Sequence, residues 1–233
     1  MTASSPILPK TSVLLFDFGG TLDADGIPWK DRFFRLARSE GLAISQGDFD
    51  RAFYAATDSL EGALPVDAGF RDTVQGVTDG LVARLGREEA VVRKAGERFA
   101  DEALGHLAAS AGLLARLSVR HRLGIVSNFY GNLEAVCADT GLTPSIGVAV
   151  DSTRVGCKKP DPRIFQAALD ALGVAPAEAV FVGDSLHRDM AGAREMGMRH
   201  VWLSPEDAVR DGSACCPGDP VISRLAELLG LDL

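Results

Sequence analysis

A small set of polar residues could together perform phosphoryl transfer. Asp17 and Asp184 each end a short apolar run, Ser127 ends another, and a lysine, Lys158 or Lys159, follows a fourth. A carboxylate such as Asp17 can attack phosphorus and form a covalent intermediate. The second carboxylate could share Mg²⁺ with the first, because hard cations prefer oxygen ligands. The hydroxyl and the ammonium group could bind the phosphoryl oxygens and offset their charge.

The elements that must position these residues alternate in type along the chain. Strand-like apolar runs, typical of strands buried on both faces, cover residues 12–17, 123–128, 146–151, 179–184 and 199–204. Between them, apolar spacing predicts helices over residues 132–141, 162–173 and 189–197. This alternation is typical of a parallel sheet covered by helices on both sides. Because ligands bind at the carboxyl ends of such strands, we expect the polar set to converge there.

Residues 24–105 interrupt the alternation. Their apolar spacing predicts helices over residues 29–42, 49–60, 72–86 and 89–104, and a further helix over residues 110–119 returns the chain to the sheet layer. We therefore predict an α/β fold with two parts. Residues 1–23 and 106–233 form a Rossmann-like three-layer core with a parallel sheet, and residues 24–105 form an inserted, all-helical cap.

Composition predicts a soluble, cytoplasmic protein that acts on small molecules. The net charge of −8 argues against a nucleic-acid surface, which needs concentrated basic residues. The first ten residues lack the pattern of a signal peptide, and no apolar run reaches the length of a membrane span. The four cysteines lack the spacing of a zinc site and are expected to be reduced thiols. No feature decides between a monomer and a homodimer.

Four segments in order carry a resemblance to a known family. DFGGTL, IVSN, KKPDPRIF and GDSLHRD resemble the motifs of the haloacid dehalogenase-like (HAD) hydrolase superfamily, over nearly the whole chain. The helical insert resembles the C1 cap of that superfamily. The resemblance implies that Asp17 is the nucleophile, Ser127 a phosphate-binding residue and Lys159 the charge-stabilising lysine. It implies that Asp184 and Asp189 form the acidic pair that serves Mg²⁺.

The resemblance extends the predicted site to neighbouring positions. Asn128, Gly20 and Thr21 are expected to contact the phosphoryl group, and the backbone carbonyl of Gly19 is expected to bind the metal. The implied activity is a magnesium-dependent phosphatase reaction on a small phosphorylated metabolite through an aspartyl-phosphate intermediate.

One residue departs from the family pattern. Phosphatases of the superfamily usually have aspartate two residues after the nucleophile, where it protonates the leaving oxygen and later activates water; this chain has Gly19. Loss of a general acid or base typically costs about 10²–10⁴-fold in rate, so we expect slow or atypical turnover. Asp23, Asp25, His187 or the cap could supply a substitute, although Asp25 fits a turn and His187 a surface position better. A Gly19→Asp variant is expected to raise the rate.

Three other functions stay open. A non-catalytic phosphate- or partner-binding protein could use the same fold, although it would not need the complete polar set. A halide-cleaving enzyme would use Asp17 without a metal, so the acidic residues of GDSLHRD would have no evident role in the reaction. A phosphonate-cleaving enzyme would need a desolvated lysine from the cap, for which Lys30 and Lys94 are the candidates.

The first predicted cap helix carries two groups of side chains at helical spacing. One apolar face, which we expect to pack within the cap, contains Trp29, Phe33 and Leu36. Three arginines could meet an anionic substrate, although nearby acids favour a solvated face; they are Arg32, Arg35 and Arg38.

Overall fold

A six-stranded parallel sheet forms the centre of the molecule. The structure, a computed structural model, describes residues 12–205 and 219–233. The strands are β1 (Val13–Phe16), β2 (Arg122–Ser127), β3 (Val148–Asp151), β4 (Ala179–Gly183), β5 (Arg199–Leu203) and β6 (Val221–Ile222). Their order is β3-β2-β1-β4-β5-β6, and every neighbouring pair is parallel. The predicted sheet is confirmed; β6, at two residues, is too short to leave a pattern in the sequence.

Eight α-helices are present among the described residues. They are α1 (Trp29–Ser39), α2 (Gln46–Asp58), α3 (Phe70–Leu85), α4 (Glu89–Leu117), α5 (Leu133–Asp139), α6 (Ser152–Val155), α7 (Pro162–Leu172) and α8 (Ala191–Glu195). Short five-residue segments follow β1 and β4, at Phe18–Leu22 and Leu186–Met190. The second is a single turn of π-helix, whereas Gly19 and Gly20 give the first a non-helical backbone. The α/β fold with a helical insert is therefore confirmed. None of the described helices is both long and apolar enough to cross a membrane.

The prediction of two separate helices between residues 89 and 119 is wrong. Both segments belong to α4, which runs for 29 residues without interruption. Apolar side chains continue to be buried beyond the predicted break, at Leu107, Leu113 and Leu114, so packing holds the helix together there. Residue 105, the predicted end of the cap, lies inside this helix, and the division of the chain into cap and core stays a prediction.

The central strand β1 is buried on both faces. Leu14 and Phe16 belong to the larger apolar cluster, which extends into the cap helices, whereas Val13 and Leu15 belong to the cluster beneath α7. Alternate residues of a strand point to opposite faces, so a strand covered on both sides must be apolar throughout. This burial explains the continuous apolar run that ends at Asp17.

The strand order reverses direction at β1. The chain passes from β1 to β2 and β3 on one side, and then to β4, β5 and β6 on the other. In open parallel sheets such a switch point leaves a crevice at the carboxyl ends of the strands. Ser127 is the last residue of β2, and Asp17 and Asp184 directly follow β1 and β4, so all three border this crevice.

Aromatic rings join the cap to the edge of the sheet. Phe70 of α3 packs against Phe18, the residue after the predicted nucleophile, with ring centroids 6.2 Å apart. Trp29 of α1 contacts Phe129, just beyond β2, at 6.3 Å. The cap therefore covers the carboxyl ends of β1 and β2.

Candidate active site

Asp17 lies at the centre of the polar cluster. The Ser127 hydroxyl donates a hydrogen bond to Asp17 Oδ1 over 3.0 Å, and Lys159 Nζ forms an ion pair with the same oxygen at 2.6 Å. Parallel pairing of Phe16 with Ile125 brings the ends of β1 and β2 side by side, which explains how residues 110 positions apart in sequence meet. Both contacts fall on Oδ1, so Asp17 Oδ2 takes neither of them.

A loop fixed at both ends positions Lys159. Asn128 forms a reciprocal pair with its backbone: Lys159 N donates to Asn128 Oδ1 over 2.7 Å, and Asn128 Nδ2 donates to the Lys159 carbonyl over 3.2 Å. Downstream, the Asp161 side chain caps α7, which begins at Pro162. Lys158 instead forms an ion pair with Glu61 of the cap. Geometry therefore singles out Lys159, which sequence spacing alone did not.

Three carboxylates meet beside this lysine. Asp17, Asp184 and Asp189 each offer an oxygen within 4.8 Å of the others. Asp189 Oδ1 lies 2.7 Å from Lys159 Nζ, and its other oxygen accepts a hydrogen bond from Ser185 N over 3.0 Å. The Thr21 hydroxyl donates to Asp184 Oδ1 over 3.2 Å. The predicted acids are thus close enough to share one small cation.

Burial and mutual repulsion shift the pKa values of this cluster. Burial, with the charges of Asp17 and Asp189 added, raises the pKa of Asp184 well above its usual range. Burial also raises the pKa of Asp189 to about 6, against the opposing effect of Lys159. For Lys159, burial lowers the pKa, but Asp17 and Asp189 more than offset it, and the net shift is upward. One lysine does not balance three neighbouring carboxylates, of which Asp17 and Asp189 are buried and Asp184 is partly buried. This excess of negative charge, on oxygen ligands, fits a divalent cation such as Mg²⁺.

Gly20 and Thr21 shape the loop that follows Asp17. Gly20 has a φ of +89°, and a Cβ atom there would lie 2.7 Å from Asp184 Oδ2, so a larger residue would collide with that carboxylate. Its N–H donates to Asp23 Oδ1 over 2.7 Å. Thr21 is fully buried against Asp184. Both residues are thus engaged in holding the loop, and their role as phosphate ligands stays a prediction, as does metal binding by the Gly19 carbonyl.

Trp29 occupies the space that an acid at position 19 would need. A Cβ atom on Gly19 would lie 3.1 Å from Trp29 Nε1. That nitrogen is buried and makes no hydrogen bond of standard geometry among the described residues. Trp29 therefore belongs to the site, which the sequence did not indicate, because an apolar face at helical spacing predicted only packing within the cap.

The proposed substitutes for the missing acid lie at different depths. Asp23 is fully buried, and its Oδ1 accepts the Gly20 hydrogen bond, so it does not border the cavity. Asp25 Oδ1 accepts a hydrogen bond from Leu225 N over 3.4 Å, outside the cavity. His187 does line the cavity, as an exposed residue at its rim.

Arg32 contradicts the expectation of a solvated arginine face. Only 2% of it is exposed, and its guanidinium donates to the Asp23 carbonyl over 2.6 Å and to the Phe99 carbonyl over 3.3 Å. The guanidinium also lies over the Phe99 ring at 3.9 Å. Burial raises the pKa of Asp23, against the opposing effect of Arg32. The sequence spacing could not show that this arginine has a buried acid to pair with.

A cavity of about 580 Å³ extends from the polar cluster to the cap. Asp17, Ser127 and Lys159 lie in its wall together with residues of α1 and α2. Lys30 also lines it and pairs with Asp50 at 2.8 Å. Lys94 lies elsewhere and pairs with Glu40 at 2.6 Å. Of the two cap lysines, Lys30 alone could reach a ligand bound in this cavity.

Comparison with known proteins settles the family. The model of the haloacid dehalogenase-like hydrolase family matches residues 11–197, well over half of the chain. The chain belongs to this family. The family resemblance read from the order of motifs in the sequence is therefore confirmed.

Individual relatives match shorter parts. The haloacid dehalogenase-like hydrolase domain-containing protein 3 of Mus musculus is 38% identical over 117 residues, which are 48% of this chain and 45% of the mouse protein. The phosphoserine phosphatase of Thermus thermophilus is 49% identical over 71 residues, 29% of this chain and 28% of that enzyme. The chain thus spans less than half the length of these curated relatives.

A solved structure shows the same fold over the full length. A dehalogenase crystallised with an intermediate complex superposes with a TM-score of 0.64 and covers 96% of this chain and 98% of its own, at 19% identity. At this identity the likeness concerns the fold alone, in which phosphatases and dehalogenases share one architecture.

Proposed function

We propose that the protein is a magnesium-dependent phosphatase that hydrolyses a small organic phosphate monoester through an aspartyl phosphate on Asp17. The observation that carries the proposal is the convergence of Ser127 and Lys159 on one oxygen of Asp17, beside two further carboxylates. A hydroxyl and an ammonium group at this position suit the oxygens of a phosphoryl group. Two relatives named as phosphatases are consistent with this proposal: the phosphoserine phosphatase of Thermus thermophilus and a glyceraldehyde 3-phosphate phosphatase of Pyrococcus furiosus, the latter 53% identical over 48 residues, 21% of this chain and 20% of that enzyme.

In the first step, Asp17 Oδ2 attacks phosphorus, because Oδ1 is held by Ser127 and Lys159. The bond from phosphorus to the leaving oxygen breaks, and the electron pair departs with that oxygen. Lys159 then neutralises charge on the phosphoryl oxygens, and Asn128 keeps its backbone in place. These residues position and stabilise the reacting group, which is the main source of catalysis in phosphoryl transfer.

Asp17, Asp184 and Asp189 would hold Mg²⁺. When bound, the ion reduces the repulsion between the carboxylates and the anionic substrate and polarises the phosphoryl oxygens. The residues fit the ion because they supply hard oxygen ligands and an excess of buried negative charge.

In the second step, water attacks the phosphorus of phospho-Asp17, the acyl oxygen leaves, and inorganic phosphate is released. An aspartate at position 19 would take the proton of that water, and Gly19 cannot. We expect this step to limit turnover, so that phospho-Asp17 accumulates.

A rapid-quench experiment with an activated aryl phosphate and Mg²⁺ tests the proposal. We expect a burst of aryl alcohol close to one equivalent per protein, followed by slow turnover, and no product from Asp17→Asn. Normal turnover without a burst would show that another residue has replaced the acid. Ligand binding in both proteins with no product from either would favour the non-catalytic phosphate-binding protein.

Halide cleavage is tested in the same preparation. Chloride release from a 2-haloacid that persists in EDTA and disappears in Asp17→Asn would favour a dehalogenase. We expect no such release, because that reaction has no use for the carboxylates of Asp184 and Asp189.

A further inference from the structure

Five aromatic side chains form one part of a cavity wall that is otherwise mostly charged and polar. They come from the start of α1, from α2 and from the loop after β2, and comprise Trp29, Phe53, Tyr54, Phe129 and Tyr130. We call this set the aromatic wall. Neighbouring rings of the wall are in contact. The ring centroid of Phe129 lies 6.3 Å from that of Trp29 and 5.1 Å from that of Tyr130, and the centroids of Phe53 and Tyr54 lie 6.4 Å apart. Cap and core therefore both supply flat apolar surface to one cavity.

The wall keeps accessible surface although its rings pack together. Tyr54 is 48% exposed, and Trp29 and Tyr130 are half-buried. Burial, together with Glu61 and Asp58, raises the pKa of the Tyr130 phenol, which stays an uncharged hydroxyl. A ligand that fills this space meets uncharged ring faces and edges, the surface against which another aromatic ring packs favourably.

Among the described residues, no general acid occupies the space beside Gly19. Gly19 has no side chain, and the adjacent volume holds the indole of Trp29, which donates hydrogen bonds but does not ionise at neutral pH. Asp23 is buried behind the loop and held by Gly20 N. With no acid held at this position among the described residues, a leaving oxygen there departs as an anion, because His187, the histidine that lines the cavity, lies exposed at its rim. This is feasible for a phenol, with a pKa of about 10, and unfavourable for an aliphatic hydroxyl, whose acidity is close to that of water at about 15.7.

The aromatic wall and the missing acid at position 19 both favour a substrate with an aromatic leaving group. We infer that the substrate is a phosphate monoester of an aromatic hydroxyl, bound with its ring against the aromatic wall and released as an aryloxide. The inference rests on the proposed phosphatase function. In the reaction, the bond from phosphorus to Asp17 Oδ2 forms while the bond to the aryl oxygen breaks. The aryloxide keeps the electron pair and then takes a proton from water.

Four substrates test the contribution of the aromatic ring and that of the leaving group separately. Phenyl phosphate has both features, benzyl phosphate has the ring with an aliphatic oxygen, acetyl phosphate has a good leaving group without a ring, and glycerol 3-phosphate has neither. With Mg²⁺, we expect kcat/KM for phenyl phosphate to exceed that for benzyl phosphate by about 100-fold or more, the usual value of a general acid. We expect KM for acetyl phosphate to exceed that for phenyl phosphate by about 3- to 10-fold, as one aromatic contact predicts.

A pair of variants tests the wall itself. Tyr54→Leu should lower the ratio of kcat/KM for phenyl phosphate to that for acetyl phosphate by about 3- to 10-fold. Phe34→Leu is the matched control, because Phe34 is an aromatic residue of α1 that does not line the cavity. This control should leave the ratio unchanged. Circular dichroism of both variants verifies that they are folded.

The outcomes are distinct. Benzyl phosphate or glycerol 3-phosphate hydrolysed as fast as phenyl phosphate would overturn the leaving-group argument, and an unchanged ratio in Tyr54→Leu would overturn the role of the wall. If no substrate yields phosphate above the Asp17→Asn blank, the phosphatase function itself fails. Binding of the aromatic ring can then still be measured by calorimetry with phenylphosphonate and methylphosphonate, whose P–C bonds this reaction does not cleave. Tighter binding of phenylphosphonate supports the role of the aromatic wall, and equal binding overturns it.

Discussion

At the scale of single residues, Gly19 and Trp29 share one volume beside the nucleophile. The absence of a side chain at position 19 is visible in the sequence, but its structural consequence is not. A Cβ atom there would meet Trp29 Nε1 at 3.1 Å, so the indole would have to shift before position 19 could carry a carboxylate. The expectation that Gly19→Asp raises the rate stays a prediction, and the position of the indole indicates a small gain unless Trp29 is also changed.

We predict that Gly19→Asp gives only a small gain in kcat for benzyl phosphate, since its carboxylate must displace the indole. Gly19→Asp combined with Trp29→Leu should raise kcat by about 100-fold, because the new acid can then protonate the poor leaving group. Trp29→Leu alone is the control and should give no such gain. Steady-state kinetics with benzyl phosphate measure all three variants, and a full gain from the single Gly19→Asp change would contradict the steric argument.

Residues of the polar cluster were predictable to different degrees. Motif order pointed to Asp17, Ser127, Lys159, Asp184 and Asp189, and the structure brings all five together. Their positions at strand ends made this possible, because parallel strands place such residues at one edge. Trp29 and Arg32 could not be recognised, since their roles depend on which side chains of other elements they meet.

At the scale of elements, Arg32 connects α1 to the loop after β1 and to α4. The Asp23 carboxylate, 3.4 Å from the guanidinium, and the Phe99 carbonyl anchor it. Asp23 in turn accepts the N–H of Gly20, at which an added Cβ atom would lie 2.7 Å from Asp184 Oδ2. The first cap helix is thereby linked to the carboxylate cluster through one buried ion pair.

We predict that Arg32→Met lowers the free energy of unfolding by about 3–5 kcal/mol, because Asp23 remains buried without its counter-charge. Adding Asp23→Asn should recover part of the loss, since the uncompensated charge is removed. Arg71→Met is the comparison: Arg71 pairs with Asp101 on the surface, and its loss should cost about 1 kcal/mol or less. Urea unfolding measures each value, and equal costs for the two arginines would contradict the buried role of Arg32.

The succession of elements was largely predictable, and their ends were less so. Apolar runs located β1 to β5, because strands buried on both faces are mostly apolar. The continuity of α4 escaped prediction, since Gly105 and polar neighbours weaken the local pattern while tertiary packing at Leu107 and Leu113 maintains the helix. Local sequence signals describe propensity, whereas burial decides the outcome.

At the scale of the whole molecule, the carboxylate cluster links stability to pH and to Mg²⁺. The pKa of Asp189 is raised from 3.8 to about 6, so the folded protein holds this proton over a range in which the unfolded chain has released it. A raised carboxyl pKa favours the folded state at low pH, and that contribution declines as the pH rises from about 4 to about 6.

We predict that, in EDTA, the free energy of unfolding falls by roughly 1–3 kcal/mol between pH 4 and pH 7 through this cluster. At pH 7, millimolar Mg²⁺ should restore much of the loss, because the ion binds the folded state alone. Asp184→Asn removes one of the repelling charges, so it should show a smaller decline and a weaker response to Mg²⁺. Thermal unfolding in both buffers provides the measurement, and an identical Mg²⁺ response in the variant would contradict a metal site here.

Two chain segments connect the helical insert to the sheet, and they differ in stiffness because one of them is the continuous helix α4. Residues 23–28 cross as bends and irregular chain, with Gly26 at a φ of +82°. The return crossing is a helix of 29 residues, about 43 Å long at 1.5 Å per residue, and its interior peptide groups are bonded to each other. A change in the angle between the helical insert and the sheet would therefore be expected at residues 23–28, because bending α4 would break hydrogen bonds within the helix.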